Sequence, residues 1–174
     1  MYRDHTLIPT EAIRLAALGQ LATAPMSYAE LAREVRGFAA RITGPSLDLL
    51  GASLELLGHE GLVAPEAEGK VQLTAAGRAA LFELLRANVR SPVDAVAKLI
   101  LALKLRFLHL LPADEQRAQI AQMIEASERE RARLTELKLR HEGEKGLLGA
   151  FLEHDSGQVA DRIAWLEGLM ARLG

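Results

Sequence analysis

Five histidines, His5, His59, His109, His141 and His154, are the first side chains to test for chemistry. His141-x-x-Glu144 and His154-Asp155 have the look of metal-ligand pairs, but two donors do not make a zinc or iron site and such pairs are common by chance. The chain has no cysteine, which removes disulfides, thiolate ligands and thiol nucleophiles. It contains no Gly-rich phosphate loop, no nucleophile elbow and no catalytic pair of acids. The sequence therefore points to no catalytic residue, no metal and no cofactor, and an enzyme is not expected. The chemistry that remains is phosphate contact. Arg33, Arg36, Arg41 and Lys70 fall in one third of the chain, with Ser46 and Ser53 between them, and cations of this kind give salt-dependent attachment to nucleic acid. For any single one of these arginines, an ordinary solvated surface charge is the more frequent fate.

The overall charge gives that idea no help. Among 174 residues, Lys and Arg number 21 against 23 Asp and Glu, for a net charge of −2. Residues 1–90 carry 9 basic and 10 acidic side chains, and residues 91–174 carry 12 and 13. A DNA surface on this protein must be a local patch and not a global field. Hydrophobic residues make up 49% of the chain and charged ones 25%, the balance of a folded protein. Met1 to Pro9 lacks a signal-peptide core. The most apolar stretch, Val93 to Leu111, is interrupted by Asp94, Lys98, Lys104, Arg106 and His109 and reads as an amphipathic helix. A cytoplasmic protein is the expectation.

The elements that must position the basic residues come from periodicity and caps. Thr10 is placed as the N-cap of a helix with Ile13, Leu15, Ala17, Leu18 and Leu21 on its stripe, closed at Ala24-Pro25. Ser27 with Glu30 is a capping box, opening a helix through Leu31 and Val35 to about Arg36, with Gly37 as its stop and Phe38 to Thr43 as a link. Pro45 suits the first turn of a third helix, in which Leu47, Leu50, Leu54 and Leu57 share a face. Leu49 and Leu56 lie off that face, as a fully packed helix or as an apolar patch for a partner. Leu62 to Ala64 and Lys70 to Leu73 read as two short strands around a polar turn, Pro65 to Gly69. Thr74 then caps a helix from Ala75 to about Arg90. The order is three helices, hairpin, helix.

Ser91-Pro92 is read as a boundary. Beyond it the pattern gives helices from Val93 to Leu111, from Asp114 to Arg140 and from Gly157 to Leu173, with Gly143, Gly146 and Gly149 loosening the region before the last. Ile120, Ile124, Leu134 and Leu137 give partial coiled-coil spacing. Trp165, the one tryptophan, belongs in the core of the chain or of a dimer interface, or beside Phe107 or Phe151 in a ligand pocket.

The segment Gly58 to Leu81, GHEGLVAPEAEGKVQLTAAGRAAL, together with KLRFLHLLPADEQRAQIAQMIEASERERARL (Lys104 to Leu134) and RIAWLEGL (Arg162 to Leu169), resembles the longer members of the PadR family of bacterial transcription regulators. The resemblance covers nearly the whole chain. It implies a mainly α protein, with a winged helix-turn-helix DNA-binding domain at 1–90 and a helical dimerisation module at 91–174. It also implies a homodimer, double-stranded operator DNA as partner, a repressor's role and a small effector that releases the DNA. The DNA-contacting residues it suggests are Arg33, Arg36, Arg41, Ser46, Ser53 and Lys70. One departure stands out: Pro45 to Gly58, the recognition helix, has no Lys or Arg and carries Asp48 and Glu55. A winged helix that binds protein or ligand and no longer reads DNA is the alternative.

Overall fold

The computed structural model describes residues 1–44 and 53–173. The chain divides into two compact units, Met1–Leu111 and Pro112–Gly174.

The first unit is built around α1 (Pro9–Thr23), which buries Ala12, Ile13, Leu15, Ala16, Ala17, Leu18, Gly19 and Leu21. Its N-cap is Ile8 and not Thr10, because Pro9 already has the φ of a first helical residue and the Glu11 carboxylate reaches back to accept from the Ile8 N–H at 2.9 Å. Helix α2 (Tyr28–Thr43) opens on the expected capping box of Ser27 and Glu30. It does not stop at Gly37. The buried row Leu31, Val35 and Ala39 continues the helical period through that glycine. Packing of α2 on α1 and α5 outweighs glycine's poor helix propensity, about 1 kcal/mol. The stop is Gly44, at φ 78°, whose N–H bonds the Ala40 carbonyl at 2.9 Å.

Helix α3 (Ser53–His59) buries Leu54 and Leu57. Ser46, Leu47, Asp48, Leu49 and Leu50 of the expected third helix lie outside the described residues. The wing pairs β1 (Val63–Pro65) antiparallel with β2 (Val71–Leu73), in the register Val63↔Leu73, Ala64↔Gln72, Pro65↔Val71. Helix α4 (Ala75–Arg86) follows, capped by Thr74 as the sequence suggests. It ends four residues before Arg90 because the amino-terminal arm captures the next segment. Thr6 and Asn88 form a parallel bridge, the Asn88 N–H bonds the His5 carbonyl at 2.9 Å, and its side chain bonds the Asp4 carbonyl at 2.7 Å.

Helix α5 (Ala95–Phe107) starts where Asp94 accepts from the Ala97 N–H at 2.7 Å, and a short 3-10 turn, Leu108–Leu110, continues it. It packs on α1 and α2, so residues 95–107 sit in the first unit and the division falls after Leu111, not at Ser91-Pro92. Phe107 is consumed in that packing: a Cβ on Gly19 would lie 2.4 Å from its ring. Arg106 bridges the three helices, stacking 4.6 Å from the Phe38 ring and donating to the Gln20 side chain at 2.8 Å. Lys104, read as a polar interruption, is fully buried. Its ammonium nitrogen donates to the Leu85 carbonyl at 2.6 Å and to that of Ala87, closing the carboxyl end of α4.

The second unit is an antiparallel pair, α6 (Ala113–Arg140) and α7 (Leu148–Arg172). Arg162 reaches across to Glu130 and, at 3.1 Å, to the Ser127 hydroxyl. Lys138 pairs with Glu153 at 3.8 Å. Helix α7 begins nine residues before Gly157. Gly149 and Gly157 are helical, and the turn uses Gly143 and Gly146, both at positive φ. Trp165 is not core to the chain, being 48% exposed. Among the described residues no helix is long and apolar enough to cross a membrane.

Candidate nucleic-acid interface

Three local devices set the wing. The first is Thr74, whose hydroxyl accepts from the Gly77 N–H at 3.0 Å and donates to the Gly61 carbonyl at 2.8 Å. The second is Gly77 itself: the Leu62 carbonyl passes so close that a Cβ there would lie 2.0 Å from its oxygen. Thr-x-x-Gly is thus a cap and a backbone crossing in one motif, locking the start of β1 to α4. The third is a bridge the sequence did not suggest. Met26, in the turn before α2, pairs with Val71 through bonds of 3.3 and 2.9 Å, adding a third short segment to the wing.

That bridge brings β2 to the start of α2. Glu30 holds the Ser27 N–H and hydroxyl at 2.9 and 2.8 Å. Those bonds, with lesser help from Arg33 and Lys70, keep its carboxyl below the usual range. Arg33 on α2 and Lys70 on β2's approach therefore share one neighbourhood. Arg36 follows Arg33 by three residues and is exposed on the adjacent face of α2. Arg41, also exposed, is about 12 Å further along the helix axis than Arg33. Its guanidinium lies back over Gly37, 3.2 Å from where a Cβ would stand. Ser53 opens α3, and Ser46 lies outside the described residues. Four of the six residues suggested by sequence are thus on α2 and the wing: Arg33, Arg36 and Lys70 towards one end, Arg41 at the other.

Acidic groups temper this surface. Lys70 pairs with Glu68 at 3.3 Å. Glu68 sits at φ 59°, beside Gly69 at φ 71°, so the wing tip turns through two left-handed residues of which one is not glycine. Leu56 is 47% exposed on α3, off the face that buries Leu54 and Leu57. Tyr28, which sequence reading passed over, sets its hydroxyl 3.0 Å from where a Gly58 Cβ would lie and so fixes how closely α2 and α3 approach. Its only sequence signal is a large aromatic directly after an N-cap serine.

Two helices, a third helix, a two-stranded hairpin and a following helix define a winged-helix protein. Residues 2–170 match the family model described as "Putative AphA-like transcriptional regulator", and the chain belongs to that family. Among solved structures, Bacillus subtilis PadR in complex with p-coumaric acid is similar at 16% identity, covering 93% of this chain and 98% of that one, with a TM-score of 0.38. Bacillus subtilis PadR in space group H32 is similar at 17% identity, over 94% and 99%, with a TM-score of 0.39. No curated protein matches the chain.

Proposed function

We propose that this protein is a DNA-binding transcriptional regulator of the PadR type, an effector-responsive repressor acting as a homodimer in the cytoplasm. The observation that supports the reading is the Met26–Val71 bridge, which joins the wing to the start of α2, where Arg33 and Lys70 both act on Glu30. Residues 1–90 supply the DNA contacts. In this reading the backbone of operator DNA meets Arg33, Arg36, Arg41 and Lys70, and Ser46 and Ser53, on sequence grounds, contact bases or phosphates. Residues 112–174, the second unit, supply the dimer contacts. Leu139, Leu147, Phe151 and Trp165 stay exposed in one copy, and a second copy would cover them. Two winged helices would then read successive major grooves about one helical turn apart.

Fluorescence anisotropy against the DNA upstream of the protein's own gene tests this. Binding no tighter than to random DNA at moderate salt sinks it. The second reading, a winged helix that holds a protein or ligand and not DNA, is favoured by exposed Leu56 and by the Glu68–Lys70 pair. Changing Arg36, Arg41 and Lys70 together to Glu separates the two: loss of DNA binding supports the regulator, and no change supports the alternative.

A further inference from the structure

Helix α3 contains no Lys or Arg, and Ser53 at its start is a short side chain. Such a helix meets DNA only by close approach, because it lacks the long cationic side chains that make up for a misplaced helix. Its pose therefore counts for more than its charge, and its carboxyl end shows how the pose is held. The Leu62 N–H bonds the Leu57 carbonyl at 2.9 Å and the Gly61 N–H bonds the Gly58 carbonyl at 3.1 Å, with Gly61 at φ 69°. This is a Schellman motif in which Glu60 is the cap residue. The Glu60 N–H bonds the Leu56 carbonyl at 2.9 Å, so its side chain leaves from the helix's own last turn. One guanidinium nitrogen of Arg14 donates to both Glu60 carboxylate oxygens. Arg14 is the one cation of α1, between the buried Ile13 and Leu15, and α1 packs against α3, α2, α4 and α5. The pair thus ties the end of α3 to the helix around which the first unit is built, across 46 residues of sequence.

We propose that Arg14 is a positioning residue for DNA reading: through Glu60 it fixes the pose of α3 against α1, and with that pose the preference for one DNA sequence over another. The preference rests on the reading as a DNA regulator; the pose does not. Arg14 and Glu60 keep 30% and 39% of their side-chain surface in water, and an ion pair so placed adds little to global stability. Its effect is directional. Without it the fold stands, and the end of α3 is free to tilt.

The test uses the full chain, with the upstream duplex and a random duplex of equal length compared by anisotropy. Arg14→Met and Glu60→Gln should each lower the preference for the upstream duplex about three- to tenfold, with random-duplex affinity within about twofold of wild type and an unchanged salt slope. The exchanged pair, Arg14→Glu with Glu60→Arg, should recover most of that preference. Without DNA, the methyl NMR signals of Leu54 and Leu57, the buried face of α3, should shift in both single variants and return towards wild type in the exchanged pair. Unchanged preference in a folded single variant overturns the proposal. So does a salt slope smaller by about one, the mark of a direct phosphate contact. An exchanged pair no better than the single variants, or unmoved Leu54 and Leu57 signals, overturns it as well. Should Arg14→Met not fold, Glu60→Gln, at the surface, carries every comparison. A wild type with no preference for the upstream duplex sinks the regulator reading, and the methyl signals alone then decide whether Arg14 sets the pose.

Discussion

Lys104 places an amine where water does not reach, and burial pulls its pKa from 10.5 to about 7. A neutral amine still has two N–H groups, enough for the Leu85 and Ala87 carbonyls, so the contact survives loss of the charge. The linkage has a definite sign. Between pH 7 and pH 10.5 the unfolded chain holds this proton and the folded chain does not, so the Lys104 contribution to stability grows as pH rises across that window and is lost as pH falls towards 7. Lys104→Met should lose that slope relative to wild type in urea titrations at several pH values. It should also cost about 1–3 kcal/mol, because two buried carbonyls lose their donor. At Glu68 the expected change is a gain. Glu68→Asn suits the left-handed backbone better and frees Lys70 of its acidic neighbour. DNA affinity should rise about two- to fivefold, with a steeper dependence on salt in anisotropy.

Two glycines of similar appearance in the sequence should respond oppositely to the same change. Gly37→Ala lies inside α2, where only the mobile end of Arg41 is near, and should stabilise the protein by about 0.5–1 kcal/mol. Gly77→Ala drives a methyl into the Leu62 carbonyl and should destabilise by at least about 2 kcal/mol, read from the urea midpoint. This pair marks how far the sequence could be read. Caps at Ser27 and Thr74, strand alternation in the wing and the apolar rows of α1 and α2 are local signals, and the structure keeps them. Gly37 misled because tertiary packing held the helix together through it. The end of α4 misled because its competitor, the amino-terminal arm, lies more than eighty residues away in sequence. For the candidate interface, residue type picked out Arg33 and Lys70, but the approach of the wing to the start of α2 depends on the Met26–Val71 bridge, a pairing between backbone atoms that no residue type announces.

At the scale of the molecule, the second unit is a helical pair that leaves aromatic and aliphatic side chains in water. Phe151→Glu with Trp165→Glu should disrupt the proposed dimer, weakening self-association by about a hundredfold or more in sedimentation velocity. Operator affinity should fall with it, since each monomer keeps a single half-site. The wing has a different consequence. Its base is held three ways, by the Thr74 cap, by the Leu62 carbonyl lodged against Gly77 and by Met26, whereas the tip from Glu66 to Gly69 is exposed and closed by its own backbone bonds. The hairpin is therefore a socket with an interchangeable end. A longer, arginine-bearing tip could be spliced between Pro65 and Lys70 without disturbing the frame, and new operator preferences built there by exchange of loops.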